Sequence, residues 1–281
     1  MIVLRGLGIA VLSLVLAQSC TAGELSFSAA AGKRLTLAEL VPRLHKARFI
    51  LIGEEHSNYR HHAVQISILA ALLDAGLPLA AGLEVFPVAA TPGLGRWISG
   101  ELDTAPLYAL FDAGWNLENW SAYRDLLFFL RDRRIPSAGI NAEDALIRRV
   151  AREGYAALSA EERGNLPPGG CVVDQRYRTV LERVVGGGTS AGYENRFGNF
   201  CEAQSLRDAI MAWELAGVAK KRPGHVVVGL TGLYHAWKPA VPARLEQLGV
   251  GPVVVILPAE GPSQTMADLA PEADYLWTWR D

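Results

Sequence analysis

The chain has 281 residues, half of them apolar, with 27 basic and 29 acidic residues and a net charge of -2. That is enough material for one large core, and a near-neutral balance gives no basic surface of the kind that binds a phosphate backbone. Nucleic-acid binding is therefore not expected.

At the amino end, Arg5 precedes an uncharged run over 7–17, and Ser19 stands directly before Cys20. This pattern predicts an export signal over 1–19, because the apolar run is shorter than the about 20 residues that span a bilayer. The sequence Ala17-Gln18-Ser19-Cys20 is similar to a lipobox, in which Cys20 is the acylated first residue of an exported lipoprotein. Residues 20–44 are expected to form a tether. Cys171 and Cys201, thirty residues apart, could pair in an oxidising compartment, stabilising the fold by about 3–4 kcal/mol, or stand as two free thiols. Their spacing matches no zinc pattern.

Five aliphatic runs follow: FILIG at 49–53, LAAGLEVF at 79–86, IPSAGINA at 135–142, HVVVGLTG at 225–232 and VVVILP at 253–258. Runs that do not alternate predict strands covered on both faces, hence a mostly parallel open sheet flanked by helices, of the α/β class. Helical periodicity over 61–75 stops at Gly76-Leu77-Pro78, and over 120–134 it stops before Pro136. Residues 143–219 show helices at 147–158, 174–185 and 199–219 but no strand, and are expected to be a helical insertion or lid. The α/β domain is placed at 45–258, with 259–281 as a C-terminal extension.

In open α/β sheets, ligands sit beyond the carboxyl ends of the strands. Glu54 and His56 close the first run, Glu84 lies near the end of the second, Asn141 ends the third and His235 follows the fourth. Glu84 has apolar neighbours on both sides, so a buried carboxylate there requires a partner. Glu54, His56, Glu84 and His235 are the candidate catalytic residues, and His56, His235 and Glu84 are candidate ligands of a divalent metal ion. His61 and His62 open a helix and read as packing or capping residues. Asp208 sits on an apolar helix face with Ala212 and Leu215 and is expected to meet a polar partner. No Ser or Cys occupies a G-x-S-x-G elbow, which argues against a covalent nucleophile.

The paired GxxH segments, GEEH at 53–56 and GLYH at 232–235, resemble the signature of a superfamily containing the ChaN haem-binding lipoproteins, the TIKI/TraB proteins and the erythromycin esterases. With GLEVF at 82–86, WNLENWSAYRDLL at 115–127, IPSAGINA at 135–142, RRVAREGYAALSAEER at 148–163, AQSLRDAIMA at 203–212 and VPARL at 241–245, the chain resembles the ChaN family over about 45–258. The resemblance implies haem binding, a role in haem or iron uptake, and an outer-membrane lipid anchor on Cys20. It also implies a homodimer closing around haem and, as a further partner, an outer-membrane haem receptor. It carries over His56, His235, Asn141, Gln204 and Asp208 as haem-site residues, with Tyr123 or Tyr234 as the axial tyrosine. Tyr234 departs from the family, where that position is often small. The superfamily leaves a second possibility, a hydrolase of the TIKI or esterase type, metal-dependent or using a histidine base.

Overall fold

The computed structural model describes residues 24–29, 32–186, 188, 192–259 and 269–280. The signal at 1–19 and Cys20 lie outside them. In chain order the elements are β1 (Glu24–Ala29), β2 (Arg34–Leu35), α1 (Leu37–Leu44), β3 (Phe49–Glu54), α2 (Tyr59–Asp74), β4 (Leu79–Pro87), α3 (Thr91–Ser99), α4 (Thr104–Gly114), α5 (Trp120–Asp132) and β5 (Ser137–Asn141). There follow α6 (Asp144–Glu153), α7 (Ala160–Gly164), α8 (Gln175–Val185), α9 (Tyr193–Lys221), β6 (Val226–Gly232), α10 (Leu233–Ala236), α11 (Val241–Gln247), β7 (Val253–Pro258) and β8 (Tyr275–Arg280).

One sheet runs in the order β2-β1-β8-β7-β3-β6-β4-β5. The five expected strands are all parallel to one another, β8 joins them in parallel, and β1 pairs antiparallel with both β2 and β8. Strand alternation explains the unbroken aliphatic runs. In β3, Ile50 and Ile52 face a core shared with Val64, Ile68 and Leu72 of α2 and Leu126 and Leu130 of α5. Phe49 and Leu51 face the opposite core, built with Met211, Ala212 and Leu215 of α9 and Val241 and Leu245 of α11. Each such fully buried aliphatic side chain stabilises the fold by roughly 1.5–3 kcal/mol.

Local signals set the helix ends. Thr36 caps α1 in a reciprocal box with Glu39, and Asn58 caps α2 by accepting from the Arg60 amide at 3.1 Å. Gly76, at φ +80, takes the left-handed turn that ends α2.

Three expectations about organisation are corrected. From Glu24 onward the segment expected as a tether is folded: Phe27, Leu40 and Leu44 are fully buried. The expected C-terminal extension supplies β8, which sits inside the sheet between β1 and β7. The helical stretch 143–219 is more than a lid, because α9 packs Met211, Ala212 and Leu215 into the core on one face of the sheet. Cys171 and Cys201 are free thiols, and burial pushes the pKa of each up to about 11. Among the described residues no helix is long and apolar enough to cross a membrane.

Candidate functional site

The carboxyl ends of β3, β4, β5 and β6 bring the expected rim residues together, and they divide into two carboxylate centres. The first is Glu54, the last residue of β3, almost fully buried. Its Oε1 accepts from the Tyr123 hydroxyl and from His56 Nδ1 at 3.0 Å. Its Oε2 accepts from Gln65 Nε2 at 2.8 Å and from His62 Nδ1 at 3.0 Å. Burial works to raise the Glu54 pKa, but the hydrogen bonds and charges of His56 and His62 outweigh it and hold the carboxyl well below the usual range.

The two histidines differ in what remains open. His62 turns Nε2 onto the His56 carbonyl oxygen at 3.1 Å, so both of its nitrogens face acceptors, as suits an imidazolium. His56 commits Nδ1 to Glu54 and to the Tyr123 hydroxyl at 2.9 Å, with the Trp115 ring edge-on at 4.7 Å between centroids. Its side chain is 32% exposed. No hydrogen bond engages Nε2 among the described residues, so the Nδ1–H tautomer held by Glu54 leaves the Nε2 lone pair available. Burial lowers the His56 pKa, yet the Glu54 bond and the charges of Glu84 and Glu54 leave it raised.

The second centre holds Glu84 and His235. Glu84, in the apolar setting that called for a partner, accepts from the Gly232 amide at 2.5 Å. His235 directs Nε2 toward Glu84 Oε1 at 3.6 Å and donates from Nδ1 to Asp208 Oδ1 at 2.6 Å. Asp208, fully buried on α9, accepts on its other oxygen from the Tyr177 hydroxyl at 2.5 Å. Burial lowers the His235 pKa, and the charges of Glu84 and Asp208 more than reverse it. Only 13% of the His235 side chain is exposed.

The glycines that open the two GxxH segments are explained by close approach. A Cβ on Gly232 would stand 2.9 Å from His56 Cε1 and Nε2. One on Gly53 would stand 2.7 Å from Leu257 Cδ2 and 3.2 Å from the Leu233 Cα, where α10 packs onto β3.

Beside the first centre opens a cleft of about 500 Å³, lined by Pro87, Trp115, Asn141, Asp144, Arg148 and Arg207 among others. Asn141 Oδ1, Trp115 Nε1 and Arg207 Nε are buried there with no hydrogen-bond partner among the described residues. Desolvated polar atoms of this kind are costly unless something pairs them, which marks the cleft as a place for a polar ligand group.

Two expected assignments do not follow from this geometry. Among the described residues no three of His, Cys, Asp and Glu are placed to hold a metal ion. The expected ligands His56, His235 and Glu84 do not form such a group, and Glu84 is committed to the Gly232 amide. Tyr123 is buried and donates to Glu54, and both burial and the Glu54 charge raise its pKa well above the ordinary phenol value. It is a poor axial tyrosinate. Gln204 is half-buried on α9, with no hydrogen bond to either centre.

Sequence reading missed His62, Gln65 and Tyr177. His62 and Gln65 lie three apart on one face of α2, and a buried carboxylate with two acceptor oxygens was the available signal that more donors than His56 were needed.

The model of the family described as haem-binding uptake, Tiki superfamily, ChaN, matches residues 40–245. The chain belongs to the ChaN family. The ChaN of Campylobacter jejuni, whose structure describes cofacial haem binding, has the same fold. Its TM-score is 0.68 at 17% identity, over 92% of this chain and 98% of that one. Erythromycin esterase EreC gives a TM-score of 0.47 at 11% identity over 86% of this chain and 78% of its own. The type III effector HopBA1 gives 0.46 at 14% identity over 85% and 91%. Both are too distant to bear on chemistry. No curated protein matches the sequence.

Proposed function

We propose that this protein is an exported lipoprotein, acylated on Cys20 and held at the outer membrane, that binds haem at the carboxyl rim and serves haem or iron acquisition. Family membership supports the cofactor. The observation that carries its position is a pair of accessible phenols beside the rim histidines: Tyr59, 72% exposed at the start of α2, and Tyr234, 37% exposed and adjacent to His235. Haem iron accepts tyrosinate as an axial ligand, and an exposed phenol is within reach of a porphyrin seated on the surface. Tyr234 also stacks edge-on against Trp237 at 4.9 Å, giving an aromatic border. The residues present thus fit the group from one side.

Bound there, haem would supply an iron centre and a flat apolar surface. The chain's part is to offer the phenolate, to set His56 beside it, and to present Asn141 and Arg207 to polar substituents. An outward-facing site leaves the second porphyrin face to another copy of the chain, which supports a haem-dependent homodimer. An outer-membrane haem receptor is the partner such a carrier would serve.

The test is a hemin titration of the soluble chain beginning after Cys20, followed by its Soret band and by native mass. Saturable binding with a tyrosinate-like spectrum, lost in Tyr59→Phe or Tyr234→Phe and accompanied by dimer formation, is the expected result. Unsaturable binding unaffected by both variants would refute it.

One observation favours a second reading, a histidine-based hydrolase. His56 Nε2 could take a proton from water as the water oxygen attacks an acyl carbon, then return that proton to the leaving group. Ester or amide turnover that disappears in His56→Ala would establish this reading, and turnover surviving that substitution would remove it.

A further inference from the structure

We propose that the haem-free chain, before a second copy closes over the site, lays its carboxyl rim against the lipid bilayer, so that its site opens onto the polar surface of the membrane. The inference rests on the acylation of Cys20 included in the function proposed above.

Strand direction carries it. β8 runs parallel to β7, with Trp277 level with Pro258 at the carboxyl end of β7. Ile52 of β3 is level with Ile256 of β7, which brings Glu54, two residues on, to the same height as Pro258. β1 runs the other way, and its first residue, Glu24, is paired with Arg280 at the carboxyl end of β8. Glu24 therefore lies three residues beyond the end of β7, about 10 Å above the level of Glu54 and on the same side of the molecule.

Cys20 precedes Glu24 by four residues. Four residues reach at most about 14 Å even when fully extended. β1 is three places from β3 in the sheet, a lateral offset of about 14 Å at ordinary strand spacing. A lipid on Cys20 is consequently tied to the end of the sheet that carries both carboxylate centres. The opposite end lies about 20 Å further away along the six-residue strand β3.

The side chains at that end suit the assignment. Tyr59 and Tyr234 are both large, apolar in body and polar at the tip, and both are exposed at the rim. Tyrosine is favoured at the boundary between lipid and water for that reason. The groove at the opposite end mixes charge with apolar surface: Arg48, Glu214, Lys220 and Lys221 line it together with Trp213, Leu248 and Val250. An amphiphile dissolved in the bilayer surface would meet the site directly.

Hydrogen–deuterium exchange tests the orientation with the natural chain. The mature lipidated protein on phosphatidylcholine–phosphatidylglycerol vesicles is compared with the same chain lacking the lipid and beginning at residue 21. The expected result is a loss of deuterium uptake at 55–62 and 232–237 on vesicles, with unchanged uptake at 219–224 and 247–251. Protection of the latter two segments, or of none, in a chain whose mass confirms the lipid, would overturn the orientation while leaving the anchor intact. An unmodified Cys20 in the mass spectrum of the natural protein would instead refute the anchor and the orientation together. In that case the haem titration still decides the binding reading.

Discussion

The two carboxylate centres are built from the same parts and finished differently. Each has a strand-end glutamate, a histidine from a GxxH segment, a tyrosine hydroxyl and a second donor or acceptor from a helix. In the first, Glu54 is the hub, and its acceptor sites serve His56, His62, Gln65 and Tyr123, leaving His56 Nε2 uncommitted. In the second, His235 is the hub, bonded through Nδ1 to Asp208, with Nε2 facing Glu84 at 3.6 Å and only 13% of its side chain exposed, against 32% for His56. A histidine with an open nitrogen near solvent can exchange protons with a ligand, whereas one almost enclosed between two carboxylates positions the groups around it. The two centres meet at the Gly232 backbone, whose amide donates to Glu84 and which lies against the His56 ring.

That contrast can be broken most forcefully at Glu54. Glu54→Ala leaves the buried His62 and the half-buried His56 without their counter-charge and is expected to cost about 3–5 kcal/mol of stability by urea unfolding. Asp208→Ala, which strips one end of a single histidine, should cost less, about 1.5–3 kcal/mol. If Asp208→Ala proves the more damaging, the division of labour is reversed.

Gly232→Ala joins the two centres in one experiment. Its Cβ would press on the His56 ring, so a loss of about 1–3 kcal/mol from overpacking is expected, with a shift in the His56 titration followed by NMR. An unmoved His56 resonance would show that the ring does not rest on this backbone.

The pH dependence sharpens the comparison further. His62 and His235 have raised pKa values in the fold, so their contribution is fully present below about 6.5 and is lost as pH rises through the raised values. Glu54 has a lowered pKa, so its contribution is present above about 4.3 and is lost as pH falls through the folded value. Stability should therefore decline on both sides of a mildly acidic maximum. Asp208→Asn is expected to flatten the alkaline decline while leaving the acid limb in place, as measured by urea midpoints across that range. The smallest effect is expected from Tyr177→Phe: about 1 kcal/mol, with hemin affinity unchanged.

Much of this was legible because burial on both faces writes a simple pattern. The five unbroken aliphatic runs became five adjacent parallel strands, and the polar residues ending them became the rim. What escaped notice depends on distant partners. β1 reads as the unremarkable ELSFSA, and only pairing with β8 makes it a strand. His62 sits beside Ile66 on an amphipathic helix, where a histidine ordinarily packs, and nothing local announces that Glu54 lies beneath it. Tyr123 failed in the other direction: the resemblance carried it over as a ligand, but the helix turns it inward onto Glu54. The stretch 143–219 looked like an insertion because it has no strands, although a sheet needs its second helical layer as much as its first.

The pairing of β1 with β8 also sets the order in which the molecule can be completed. Ser26 and Thr278, joined by a 3.1 Å hydrogen bond, are 252 positions apart. Until β8 has been synthesised and delivered, β1 has only the two-residue β2 beside it, and two paired residues do not hold a strand. Closure of this sheet edge is thus a late, non-local event of the kind that slows folding. The unfinished chain stays open meanwhile, which is the condition a polypeptide needs if it is to be threaded across a membrane before it folds.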